Sequence, residues 1–150
     1  MKEENIEYKS IDGEPIDNEM MKESIDLLHD YLNEFISREA LEKDVEHCLR
    51  KGKAMAAYNE EELIGVVVGV YTPFFDKFHI GHIAVEENFQ GKGIGSELTE
   101  RVIPEDVGAS VHLNMNNPEV EEFYEKMGFQ QTHKRFKKPL EEDIDLKPSD

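Results

Sequence analysis

The stretch with the most specific chemistry runs from His79-Ile80-Gly81-His82-Ile83-Ala84-Val85 through Glu86-Glu87-Asn88-Phe89 into Gln90-Gly91-Lys92-Gly93-Ile94-Gly95-Ser96. It reads as a buried strand, a glycine-rich turn and the opening of a helix. The first N–H groups of a helix have no partner within it and point outward. With the helix dipole they form a site for an anion. Glycines let the backbone come close to a phosphate and adopt positive φ, and Lys92 adds a positive charge at the same place. Two familiar phosphate loops do not fit. A G-x-G-x-x-G dinucleotide loop wants a third glycine where Ser96-Glu97-Leu98 stands, and an acid about 20 residues on. A G-x-x-x-x-G-K-[ST] loop is not supplied by Gly91-Lys92-Gly93. A plain flexible turn is the third reading. Gln90 and Lys92, set among the glycines just ahead of an amphipathic helix, weigh against it.

The strand before the loop carries two histidines. Histidine titrates near neutral pH, which suits proton removal. Strict alternation places His79 with Gly81 and Ile83 on one face and His82 on the other. That parity argues against a His79/His82 metal pair. No other His, Cys, Asp or Glu group has ligand spacing, so no metal is expected. A half-buried strand histidine without chemistry is an equal alternative for His79. Glu86 and Glu87 read as alternative bases or as solvated charges. Cys48 is the sole cysteine, so no internal disulfide can form. It shares a helical register with Leu41 and Val45 and reads as a small core residue.

The elements that position these groups follow from periodicity. Ile6 to Ile11 is a short strand ending at Asp12-Gly13. Met21, Ile25, Leu28, Leu32 and Phe35 form one stripe of a helix over 18–36. Ser37 caps a second helix that buries Leu41, Val45 and Cys48 and stops at Gly52. Ala54 to Tyr58 and Leu63 to Tyr71 are strands joined by a hairpin at Asn59-Glu60-Glu61-Glu62. The second is apolar on both faces, which places it centrally in a sheet. Phe78 to Val85 is the next strand. Gly93 to Ile103 is a helix with Ile94, Leu98 and Val102 inward, broken at Pro104. Ala109 to Met115 alternates as a strand. Asn117, Pro118 and Glu119 start a helix with Val120, Phe123, Tyr124 and Met127 as its apolar face and Gly128 as its stop. A last strand lies near 132–137. The acidic tail, 141–150, reads as mobile. The order predicts a mixed α/β (α+β) domain over 1–140, with helices covering a largely antiparallel sheet.

Gln90-Gly91-Lys92-Gly93-Ile94-Gly95 resembles the Q/R-x-x-G-x-G/A motif of the GCN5-related N-acetyltransferase (GNAT) family. Ile83-Ala84-Val85 resembles that family's motif strand, with the usual five-residue step from Val85 to Gln90. Downstream, the run from Asn117 to Phe129 is similar to the family's N-…-Y-E-K-x-G-F segment. Two motifs in order, strong over 78–129, make the resemblance specific. It implies a three-layer fold with a twisted, mostly antiparallel sheet of six or seven strands and about four helices, splayed at the cofactor site. It implies acetyl transfer from acetyl-CoA to a primary amine by direct attack in a ternary complex. Main-chain groups of Ile83, Ala84 and Val85 would then pair with the pantetheine arm. Gln90, Gly91, Lys92, Gly93, Ile94, Gly95 and Ser96 would hold the pyrophosphate, and Asn117 would bond the arm. Tyr124 would sit near the sulfur as the acid, and His79, six residues before Val85, would occupy a position where some members carry a glutamate base. A non-catalytic acyl-CoA-binding sensor is the alternative. In one respect the chain departs from the family: the stretch from Gly95 to Ala109 is short, which implies a short helix or a tight connection over 104–108.

Composition narrows the partners. The 150 residues carry 34 acidic against 17 basic side chains, for a net charge of −17. Such a field repels nucleic acid and anionic membranes and attracts cations, so neither nucleic acid nor membrane is an expected partner. A small-molecule or peptide amine is expected, with a cationic one favoured, and a homodimer is compatible. No run approaches the ~20 apolar residues of a membrane span, and the start carries early acids without an apolar signal core, so a cytoplasmic location is expected.

Overall fold

The computed structural model describes residues 5–73, 77–105, 107–111, 118–131 and 138. Among these residues, five strands lie in the order β1-β2-β3-β4-β5. They are β1 (Ile6–Ser10), β2 (Lys53–Asn59), β3 (Glu62–Tyr71), β4 (Phe78–Val85) and β5 (Ala109–Val111). Neighbours are antiparallel except β4 and β5, which run parallel. Four helices accompany them: α1 (Asn18–Leu32), α2 (Arg38–Lys51), α3 (Ile94–Val102) and α4 (Pro118–Lys126). The mixed α/β class and the layered fold are as expected. The strand count is lower than the predicted six or seven: the strand expected near 132–137, the end of the one expected over 109–115 and the acidic tail lie outside the described residues.

The sheet is buried on both faces because β3 is apolar on both. Val66 and Val68 point to one side, where Leu28 of α1 and Leu41, Val45 and Leu49 of α2 cover them. Val67 points to the other, with Phe78 and Ile80 of β4, under Ile94, Leu98 and Val102 of α3. Ser37 caps α2 as expected, and Asp17, which the sequence reading did not single out, caps α1. Asp17 accepts from Glu19 N–H and Met20 N–H at 3.0 and 3.2 Å, and Ser37 accepts from Ala40 N–H at 3.1 Å. Each such cap is worth ~1 kcal/mol.

Several expectations need correction. Helix α1 ends at Leu32, not Ile36, and Phe35 leaves the stripe to stand 43% exposed. Val120 is 37% exposed and is no part of the apolar face of α4. Helix α3 has only nine residues, which accounts for the short stretch before Ala109.

The largest correction concerns β4. Val68 pairs with His82, but the next residue, Gly69, pairs with Ile80, so Gly81 is an extra residue in the ladder. A bulge of this kind reverses the side-chain phase on one side of it. His79 pairs with Val70 and His82 with Val68, and both valines pack on the α1–α2 side. The two histidines therefore share a face, contrary to strict alternation.

Cys48 lies in the core beneath α2, as expected. Burial, with a smaller contribution from the Asp44 charge, pushes its thiol up to about 12. At pH 8 only ~10⁻⁴ of the thiol is then ionised, and the thiolate is the reactive form. We expect iodoacetamide to label the native protein slowly and the urea-unfolded protein rapidly, as read by mass spectrometry. Equal rates would contradict the buried placement.

Candidate active site

The end of β4, the turn after it and the start of α3 form one unit. Glu86 N–H donates to Ile64 C=O at 2.8 Å and holds the chain to β3 as it leaves the sheet. A 3-10 turn follows at Glu87–Phe89, where the Glu86 carboxylate accepts from Asn88 N–H at 3.0 Å. The Gln90 side chain then reaches back, its Nε2 donating to Val85 C=O at 2.8 Å. Its amide nitrogen thus staples the loop to the strand. The Tyr31 hydroxyl of α1 accepts from Glu87 N–H at 2.7 Å, a second tether that sequence reasoning missed.

Gly91 and Gly93 have φ of +77° and +84°, a region side chains resist. A Cβ at either would meet nothing within 4 Å, so both face open space. Gly93 stands at the N-cap of α3 and no side chain caps the helix. The first helical bond there is Glu97 N–H to Gly93 C=O at 3.0 Å. The amides of Ile94, Gly95 and Ser96 precede it and are the orphan donors of a helix start. Lys92 is exposed, its Nζ 5.7 Å from the Phe89 ring centre. The Ile94 side chain is buried, so only its main chain can face a ligand. Gly95 answers a different need: a Cβ there would come within 3.2 Å of Phe123. Its bareness lets α4 rest on the start of α3.

Tyr124 of α4 is 7% exposed and lies edge-on to Phe123 and Phe129, with ring centres 5.0 and 5.4 Å away. Gly128 N–H donates to Glu125 C=O and Phe129 N–H to Tyr124 C=O, the paired bonds of a Schellman ending with Gly128 at φ +97°. The ending locks the Phe129 ring onto Tyr124. Burial pushes the Tyr124 phenol up to about 12. Asn117 lies outside the described residues.

On β4, Ile83 and Val85 are half-buried toward α3, and Ala84 is buried toward α1 and α2. The described pairing of β4 with β5 covers Phe78, His79 and Ile80; Ile83 to Val85 lie beyond it. The His79 Nδ1 is 2.9 Å from Ser110 Oγ of β5. His82 Nε2 is 2.8 Å from Asp44 Oδ2 of α2, a pairing that no local pattern reveals. Among the described residues no three potential ligands converge on a metal site, and no helix is long and apolar enough to cross a membrane.

A family model described as an acetyltransferase (GNAT) domain matches residues 14–140. The chain belongs to the GNAT acetyltransferase family. Solved structures agree on the fold. The aminoglycoside N-acetyltransferase AAC(6')-Iy in complex with CoA superposes with a TM-score of 0.72 at 14% identity, over 93% of this chain and 97% of that one. An aminoglycoside acetyltransferase, meta-AAC0020, from an uncultured soil metagenomic sample in complex with sisomicin, gives 0.65 at 16%, over 91% and 97%. A ribosomal-protein-alanine N-acetyltransferase from Brucella melitensis biovar Abortus 2308 gives 0.65 at 16%, over 91% and 99%. No curated protein matches the chain significantly. In this GNAT chain the glycine turn lies between β4 and α3.

Proposed function

We propose that this GNAT domain, carried by residues 1–140, transfers acetyl from acetyl-CoA to a primary amine by direct attack in a ternary complex. The observation that supports it most is the uncapped start of α3, with the amides of Ile94, Gly95 and Ser96 behind two positive-φ glycines. That set of donors fits a pyrophosphate, and Lys92 adds charge. The main chain of Ile83 to Val85, past the described β5 pairing, suits an extended pantetheine arm, with Asn117 as a further donor. An amide near Ile83 would stabilise the oxyanion.

Tyr124 serves as the proton donor to the leaving sulfur. With its phenol pushed up to about 12, full transfer to a thiolate of pKa ~8.5 is uphill. Tyr124 therefore acts chiefly as a hydrogen-bond donor in the transition state, and solvent completes the protonation. Proton removal from the amine falls to a histidine of β4, and the family motif points to the position of His79.

The acceptor is a cationic amine, since a chain of net charge −17 concentrates cations in its clefts. A screen of acetyl-CoA consumption over polyamines, aminoglycosides, amino acids and peptide N-termini tests this. We expect turnover with a cationic amine, and a kcat/KM that falls from low to physiological salt, where the Debye length is ~8 Å. A neutral or anionic best acceptor would refute the charge argument. CoA binding without turnover on any amine would favour the non-catalytic sensor instead.

A further inference from the structure

We propose that His82, oriented by Asp44, is the first acceptor of the amine proton, ahead of His79. The inference rests on the acetyltransferase reading and names the base within it. Three observations carry it. The bulge at Gly81 turns His82 onto the same face as His79, so the opposite-face argument that separated them falls away. His82 adjoins Ile83, and the ladder places His79 two positions beyond His82 (Val70 against Val68), which at ~3.3 Å per residue is ~7 Å further upstream. If the pantetheine arm leaves the loop after Val85 and runs back along the strand to Ile83, the thioester lies near Ile83, beside His82.

The third observation is the partner. The Asp44 carboxylate is 2.8 Å from His82 Nε2. A carboxylate accepts and cannot donate, so Nε2 carries the hydrogen, and in the neutral ring the lone pair is then on Nδ1. That is the tautomer a base needs, and the imidazolium formed on protonation is met by a negative charge. The His82 side chain is 18% exposed, enough for access and little enough for a fixed orientation. His79 instead engages Ser110 through Nδ1.

The step balances as follows. The ammonium gives one proton to His82 Nδ1, which passes it to solvent. The amine nitrogen bonds to the thioester carbon. The C–S bond breaks as the second N–H proton leaves by the same route, and the thiolate takes one from Tyr124 or water. One proton is released per turnover.

The test uses the full chain with sisomicin, spermidine and an alanine-initiated peptide as acceptors. We expect His82→Gln to lower kcat by ~10²–10⁴ with acetyl-CoA affinity, read by calorimetry, unchanged. The loss should exceed that of His79→Gln by at least about tenfold. His82→Ala should regain activity with added imidazole. Asp44→Asn should cost ~10–100-fold, and Asp44→Glu should regain part of it. A purely structural pair would lower thermal stability and show no imidazole rescue, which would overturn the proposal. So would a larger loss in His79→Gln, or a His82→Gln rate within twofold of wild type. If the wild-type protein acetylates none of the three acceptors and none in the wider screen, the acetyltransferase reading itself fails, a result distinct from the others.

Discussion

Replacing Gly93 with aspartate is expected to weaken coenzyme A binding by about 100-fold or more. Two effects combine. Gly93 sits at φ +84°, where a non-glycine residue costs ~1–2 kcal/mol, although aspartate tolerates the region better than most. The new Cβ meets nothing within 4 Å, so the fold should survive. The carboxylate then stands beside the amides of Ile94, Gly95 and Ser96. A unit charge ~4 Å from another costs ~1–4 kcal/mol between bulk water and a protein surface, and a pyrophosphate brings more than one. Gly93→Asn separates the two effects, since it keeps the backbone demand without the charge. Calorimetry on both variants, with circular dichroism as the check on folding, is the measurement. Unchanged affinity in a folded Gly93→Asp protein would remove the phosphate from this loop.

Tyr124→Phe is expected to lower kcat by ~10²–10⁴ and to leave acetyl-CoA affinity nearly intact. The ring packs between Phe123 and Phe129, and phenylalanine keeps that packing. Only the hydroxyl is lost, and it pairs with no described side chain or main-chain group, so no orphaned partner is left behind. Because burial pushes the phenol up to about 12, Tyr124 stays protonated across the working range and should add no basic limb to the pH–rate profile below pH 10. The same shift has a sign for stability. The folded phenol holds its proton more tightly than the unfolded one, so its contribution is complete below pH 10 and is lost as pH rises toward 12. A Tyr124→Phe rate within about twofold of wild type would leave the residue a core aromatic only.

Much of this was legible because most elements obey a single period. The stripe through Met21, Ile25, Leu28 and Leu32 and the cap at Ser37 are local signals, and β4 falls on its predicted bounds. The hairpin was visible from its polar residues, but not its geometry. Glu60 and Glu61 both take positive φ, without the Asn-Gly pair that usually announces such a turn. Phe35 continued the helical spacing on paper, yet the chain had to turn before Ser37 could cap α2. The site was half legible. Its phosphate loop is a contiguous motif, so the residues name it. The Asp44–His82 pair joins residues 38 apart through tertiary packing, and nothing in either neighbourhood points to the other. The bulge had one signal, the isolated Gly81 inside a strand pattern, which strict alternation passed over.

The extra residue at Gly81 divides β4 into two halves of opposite phase, like a text read in two frames. Upstream, Phe78 and Ile80 fill the layer under α3 while His79 faces α1 and α2; downstream, Ile83 and Ala84 keep the same division only because one position has been skipped. Were Gly81 to take an ordinary paired place in the ladder, no side chain would be lost, but the upstream half would turn over, sending an imidazole into an apolar layer and a phenylalanine to the opposite side. The two cores thus depend on counting as much as on hydrophobicity, and the placement of both histidines on one face is a product of the same count.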